Sequence, residues 1–268
     1  MKEVESKVYL VAETAINSYP QSDWLKNLGV KDKDKQQIEN SFVNVSDPEV
    51  LIILAAKRCY KSFVPGLNPN VTKIRFDPKE FIYNILKSGH GSVLEHASVT
   101  FALEGISRVL THELVRHRIG VAISQESLRY VALDDFNYIL PPDVQEEEPL
   151  HNKFNKLFDI LKIAQAELKA MFPNWNTMPF AEKKKWTSTF RRLAPMGLAT
   201  GMVWTVNFRA LRHILELRTH RSAEWEIRSL FNKIGEICIK KWPLIFQDFV
   251  KCNTGDGLYC FESEFSKV

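Results

Sequence analysis

Leu114-Val115-Arg116-His117-Arg118-Ile119-Gly120-Val121-Ala122-Ile123-Ser124-Gln125-Glu126-Ser127-Leu128-Arg129-Tyr130 is the stretch on which the reading of the whole chain turns. It opens at the end of an amphipathic helix predicted from about Ser107 to Arg116, runs through a loop, and delivers Ser127 and Arg129 toward an extended segment. Two guanidiniums flank one imidazole, and a third follows eleven residues after Arg118. Arginine offers a planar fork of donors that grips phosphate or carboxylate bidentately, and it keeps its charge at neutral pH. Such a concentration points to an anionic ligand.

The other cations follow the same pattern. Eleven of the 13 Arg fall in the windows 88–152 and 186–232, and all 23 Lys fall outside them. A generic solvated or nucleic-acid-binding surface mixes the two residues, whereas segregated arginine suits fixed recognition at a defined site. An Arg-rich nucleic-acid-binding module is the rival from another class. Against it, the basic residues are not interleaved with aromatics along one groove, so no nucleic-acid partner is expected. Net charge is mild at +4, and 45% hydrophobic with 25% charged residues fits a globular chain of 268 residues. No run nears the roughly 18 apolar residues of a membrane span. Met1 to Ser6 lack the apolar core of a secretory signal, so the expectation is a cytoplasmic protein. Cys59, Cys238, Cys252 and Cys260 form no C-x-x-C pair, which predicts reduced thiols and no metal site.

Working outward, Lys7–Glu13 predicts an opening strand, and the polar residues 18–45, with the charge run 31–35, predict an exposed connection. Asp47-Pro48 predicts a helix with Asp47 as cap, and Asp77-Pro78 a second one with Glu80 closing a capping box. Residues 61–75 read as a loop, as does Gly89–His96. Val99, Phe101 and Leu103 alternate with small or polar residues, the signature of a strand with one buried face. Tyr138–Leu140 predicts a short strand. Residues 147–172 predict a long amphipathic helix with Phe154, Leu157, Phe158, Leu161, Ile163, Ala164 and Leu168 as its apolar stripe. Helix is predicted over 181–193, strand over 200–206, helix over 209–218, and a last long helix capped by Ser222, with residues beyond 248 as a loose tail. The sum is one α/β (α+β) domain over 1–268, an antiparallel or mixed sheet packed by long helices.

Metal chemistry at His112-Glu113-Leu114-Val115-Arg116-His117 is excluded by spacing, because two His at i and i+4 are needed and position 116 is Arg. No G-x-G-x-x-G or Walker A sequence exists, so a nucleotide here must be held by arginines and helix ends. Ser127 lacks the G-x-S-x-G context of a nucleophile and reads as a cap or phosphate-binding hydroxyl.

Five blocks taken together resemble the flavin-dependent thymidylate synthases. They are Gly89–His96; Arg116-His117-Arg118 with Ser127-x-Arg129-Tyr130; Arg191 with Pro195; Trp204–Arg209; and Leu217-Arg218 with Glu224–Ile227. They stand in the family's order over about residues 46–248. The resemblance implies the thymidylate synthase-complementing protein fold and reductive methylation of dUMP to dTMP. It implies 5,10-methylenetetrahydrofolate as carbon donor, NADPH as reductant through bound FAD, and a homotetramer with active sites between subunits. It places Ser92, Glu95, Arg116, His117, Arg118, Gln125, Asn207, Arg209 and His213 at FAD. It places Glu113, Arg116, Gln125, Glu126, Ser127, Arg129, Arg191 and Arg218 around dUMP, with Arg218 as the catalytic residue that favours ionisation of the pyrimidine N3. The chemistry agrees: a phosphate dianion, a pyrophosphate and folate carboxylates all suit an Arg-rich, Lys-free site.

Segments 14–45 and 61–75 are longer than a minimal member needs, and two further features depart from the family pattern. Eight residues separate Arg118 from Ser127 where the family has seven, which predicts a bulge, and position 113 is Glu where the family often has Gln. These departures leave a same-fold flavoprotein that oxidises NADPH without methyl transfer as the near alternative.

Overall fold

The alternation at Val99, Phe101 and Leu103 builds the strand around which the sheet forms. In the computed structural model, which describes residues 2–17, 22–130 and 136–266, β1 (Lys7–Glu13) and β2 (Ser98–Ser107) pair antiparallel. β2 buries Val99, Phe101, Leu103 and Ile106 almost completely. β3 (Val121–Gln125) and β4 (Ala199–Asn207) complete an antiparallel sheet of order β1-β2-β4-β3. Phe101 and Trp204 face each other across β2 and β4, fully buried and stacked at 6.0 Å. The other face of the sheet is open: the row Tyr9, Ala102, Val203, Ser124 crosses all four strands, with Tyr9 and Val203 about half exposed.

The core face is covered by helices. Residues 22–45 are not the exposed connection that their polarity predicts (18–21 lie outside the described residues). They form α1 (Ser22–Asn27) and α2 (Asp32–Ser41), which bury Leu25, Val30, Ile38 and Phe42, so the charge run merely starts the wet side of α2. α3 (Asp47–Tyr60) is capped one residue earlier than predicted. The Glu49 carboxylate accepts the Ser46 N–H at 3.2 Å and its hydroxyl at 2.7 Å, while Asp47 accepts the Ile16 N–H at 3.0 Å. α4 (Pro78–Lys87) starts on Asp77, which accepts the Lys79 N–H at 3.0 Å; Glu80 closes no box because Lys73 and Arg75 hold it at 2.7 and 3.1 Å. Gly91–His96, read as loop, is a 3-10 turn.

β2 passes directly into α5 (Arg108–Leu114), where Ser107 Oγ accepts the Leu110 N–H at 3.1 Å. Tyr138 makes only isolated bridges, to Glu3 and Leu198. Beyond α6 (Pro142–Glu146), α7 (Glu148–Ala170) buries Phe158 and Gln165, but Leu157 and Ile163 of its apolar stripe stay about half exposed within the chain. α8 (Phe180–Phe190) runs into a 3-10 turn, Arg191–Leu193. α9 (Phe208–Thr219) and α10 (Trp225–Lys241) pack against the sheet. Glu224, not Ser222, caps α10, accepting the N–H groups of Glu226 and Ile227 at 2.7 and 3.4 Å; Ser222 pairs with His220 at 2.8 Å. The predicted tail is a hairpin, β5 (Phe249–Asn253) and β6 (Tyr259–Ser263), which buries Cys260 and Phe261. Among the described residues no helix is long and apolar enough to cross a membrane.

Candidate active site

Three chain segments meet where β4 ends. Asn207 donates its N–H to the Gly120 carbonyl at 2.9 Å, and its side chain caps α9 by accepting the Ala210 N–H at 2.9 Å. This sets the first turn of α9 beside Arg116-His117-Arg118. The 3-10 turn Gly91–His96 supplies the third wall, where Arg209 pairs with Glu95 at 2.5 Å. A Cβ on Gly91 would stand 2.9 Å from Arg209 Nε, so only glycine leaves this guanidinium its place. The result is an open pocket of about 590 Å³ lined by Glu95, Arg116, His117, Arg118, Asn207, Arg209 and His213. Ser266, from beyond β6, also reaches it.

Beside the pocket, Arg218 on the last turn of α9 donates Nε–H to His117 Nε2 at 2.8 Å. Its Nη1 pairs with the Glu113 carboxylate at 2.9 Å, and its Nη2 donates to the Glu113 carbonyl at 3.1 Å. His117 therefore carries its proton on Nδ1. Burial foremost, then the charges of Arg218 and His213, press its pKa from 6.5 down to about 4, so it is a neutral imidazole at pH 7. Glu113 is neutralised by Arg218 rather than left facing a phosphate, which removes the repulsion its charge would otherwise cause.

A second group gathers at the far end of β3. Gln125 donates to Thr111 Oγ1 at 3.3 Å, the Glu126 N–H donates to the Gly201 carbonyl at 3.1 Å, and Ser127 Oγ accepts the Arg129 N–H at 3.3 Å. Arg129 and Arg191 are exposed. Arg108 donates to the Glu126 carbonyl at 3.1 Å, and its buried Nε has no partner among the described residues. Burial first, and the nearby Arg191 charge, lower its pKa against the pull of Glu126. A guanidinium with an orphaned donor beside a second guanidinium is a place for an anion. Four rises along β3, at about 3.4 Å each, set Gln125 roughly 14 Å from Val121, at the end of the strand away from the first pocket.

The family model described as "Thymidylate synthase complementing protein" matches residues 41–244. The chain belongs to that family. Among curated relatives, the chain is 34% identical over 224 residues to "Flavin-dependent thymidylate synthase" of Nitratidesulfovibrio vulgaris, covering 81% of this chain and 88% of the relative. It is 34% identical over 230 residues to the protein of the same name from Clostridium tetani (83% and 87%), and 31% identical over 261 residues to that of Mycobacteroides abscessus (95% and 94%). The crystal structure of a UMP/dUMP methylase, PolB, from Streptomyces cacaoi bound with 5-Br dUMP shares the fold at a TM-score of 0.60 and 17% identity, covering 91% of this chain and 95% of that one.

Of the residues that the family resemblance assigns to the flavin, seven line one pocket. Ser92 sits exposed on the neighbouring 3-10 turn, and Gln125 lies with the second group. The loop predicted after Arg118 is largely the strand β3, whose ladder with β4 runs without a bulge from Val121 to Gln125. The chain instead turns at the exposed Ile119 and at Gly120, whose φ is +70°. Nor do all the segregated arginines await a ligand. Arg212 is locked in a buried bidentate pair with Asp248 at 2.7 and 2.8 Å, and Arg228 is paired with Asp256 at 2.6 Å. Sequence reasoning passed over Arg108, though it lies in the Lys-free window next to the capping Ser107. Nothing in the sequence signalled Ser266.

Proposed function

We propose that this chain is a flavin-dependent thymidylate synthase that methylates the uracil ring of dUMP, with 5,10-methylenetetrahydrofolate as carbon donor and NADPH as reductant through bound FAD. The observation that carries the reading is the pocket in which Arg116, Arg118 and Arg209 converge around a neutral His117 tied to Arg218. Its donor set fits FAD: three guanidiniums suit a pyrophosphate, and the bare Gly91 leaves Arg209 room to turn from Glu95 toward a stronger anion. Asn207, His213, Ser92 and Glu95 complete that wall. Bound flavin supplies the hydride that the reduction requires.

The chain's own residues do the rest. Arg129, Arg191, Ser127 and Arg108 hold the dUMP phosphate, and Gln125 and Glu126 stand beside the nucleotide. Arg218, held in place by Glu113 and His117, turns its remaining N–H groups on the pyrimidine and stabilises negative charge at N3. Within one chain the two groups stand a strand's length apart, so a complete site takes the flavin wall from one copy and the nucleotide group from another. The open sheet face through Tyr9 and Val203 supports such an assembly, a homotetramer with sites between subunits. The NADPH-oxidising alternative rested on the shifted loop and on Glu113; the regular ladder of β3 and the Glu113–Arg218 pair support the synthase reading instead.

The test is to soak the protein in FAD, desalt it, and add NADPH anaerobically with and without dUMP, then with the folate. Retained flavin that bleaches faster with dUMP and then yields thymidylate is the expected result. Loss of flavin at every salt concentration overturns the assignment, and bleaching with no product favours the oxidase.

A further inference from the structure

We propose that the β5–β6 hairpin is a binding site for one thiophilic divalent cation of the zinc class, held by Cys252, Cys260 and Glu262. The cysteines are eight positions apart, too far for a recognisable metal motif, but the ladder sets Cys252 directly opposite Cys260. Glu262 lies two residues beyond Cys260 on β6, so the pleat turns its side chain to the same face. The two sulfurs and a carboxylate oxygen all fall within 4.8 Å of one another. Tetrahedral zinc, with Zn–S about 2.3 Å and Zn–O about 2.1 Å, needs S···S near 3.8 Å and S···O near 3.6 Å. Cys260 Sγ already stands 3.4 Å from Glu262 Oε1, so side-chain rotation alone can close the remainder.

The surroundings favour a cation over a bare thiol pair. Cys260 is buried and Cys252 half-buried, with Glu262 at the solvent edge as an entry point. Three groups whose deprotonated forms repel one another share a small volume, and a divalent ion is what lets all three ionise together. The frame is rigid. The turn is pinned by Arg228 on Asp256 at 2.6 and 3.2 Å, and Phe261 donates its N–H to Thr219 Oγ1 at 2.9 Å, tying β6 to the end of α9. Two sulfurs and one oxygen leave a fourth position for water. Binding forms two metal–sulfur bonds and one metal–oxygen bond, and it breaks two S–H bonds, whose protons pass to the buffer.

The experiment uses the reduced, flavin-loaded full chain carrying Cys59→Ser, which removes the exposed thiol outside the cluster. Cadmium ion is titrated in while the thiolate-to-metal charge-transfer band and the proton release are followed, and zinc is then used to displace it. The expected result is one ion per chain, about two protons released per ion, loss of the band in Cys252→Ser and in Cys260→Ser, and affinity weakened at least about tenfold in Glu262→Gln. Circular dichroism and flavin retention identify a variant that fails to fold. Cys252→Ser and Glu262→Gln, both away from the fully buried core, keep the test decisive if Cys260→Ser does fail. No band at tenfold excess cadmium, a band that survives Cys252→Ser in folded protein, or recovery of the pair as a disulfide would each overturn the proposal.

Discussion

Gly120→Ala tests how the site is assembled, because Gly120 touches the residue that both lines the pocket and starts α9. Its φ of +70° lies in the left-handed region, where an alanine costs about 1–2 kcal/mol. A Cβ there would stand 2.4 Å from Asn207 Nδ2 and 2.7 Å from Oδ1. The backbone bond from Asn207 N–H to the Gly120 carbonyl, at 2.9 Å, stops the two residues from moving apart freely. The Asn207 side chain must therefore swing away and give up the Ala210 N–H, a cap whose loss costs about 1 kcal/mol. The total is about 2–3 kcal/mol, with weaker retention of FAD. Urea denaturation of Gly120→Ala, Asn207→Ala and the double variant reads this directly. With Asn207 already truncated, only the backbone strain remains, so the double variant should cost about 1 kcal/mol less than the sum of the singles. Additivity within a few tenths of a kcal/mol would refute the contact, and a Gly120→Ala penalty below about 0.5 kcal/mol would refute the strain as well.

Arg218→Ala should abolish thymidylate formation while the flavin stays bound; a folded variant that loses its flavin would place Arg218 in the cofactor site instead. Arg129→Ala should weaken dUMP binding with flavin binding unchanged, and unaltered dUMP affinity would remove Arg129 from the nucleotide group. Asp248→Asn strands the buried Arg212 charge and should destabilise the fold by about 3–5 kcal/mol in urea. Burial presses the Lys57 pKa from 10.5 to about 8. Between those values the unfolded chain binds a proton that the folded chain does not, so stability rises with pH across about 8 to 10.5. The gain for wild type relative to Lys57→Met should be roughly 3 kcal/mol over that window, and parallel stability curves would contradict it.

The strands β2 and β4 were legible because each has a buried face or core large enough to impose its period on the sequence, whereas β1, which buries no residue, was legible only from its β-forming residue types. β3 was not: only Val121 and Ile123 pack against the core from it, and the rest of its order comes from pairing with β4. Residues 22–45 misled for a related reason. Leu25, Val30, Ile38 and Phe42 are few among many charges, yet those few meet the core. The helix caps slipped where another residue took the position, as at Asp47, whose carboxylate accepts the Ile16 N–H while Ser46 caps the helix, and at Ser222, which Glu224 displaces.

By itself the sequence determined the chemistry: arginine kept apart from lysine, an imidazole between two guanidiniums, and ordered blocks that mark the family are properties of residue type and spacing, which folding does not change. Only the tertiary structure decided which charges are free to act. It consumed Arg212 and Arg228 in ion pairs, turned Glu113 onto Arg218, gathered Arg116, Arg118 and Arg209 in one pocket, and held the nucleotide group a strand's length away. It also brought Cys252, Cys260 and Glu262 together. Those outcomes rest on strand register and helix docking, which are set by long-range packing and leave no mark in local spacing.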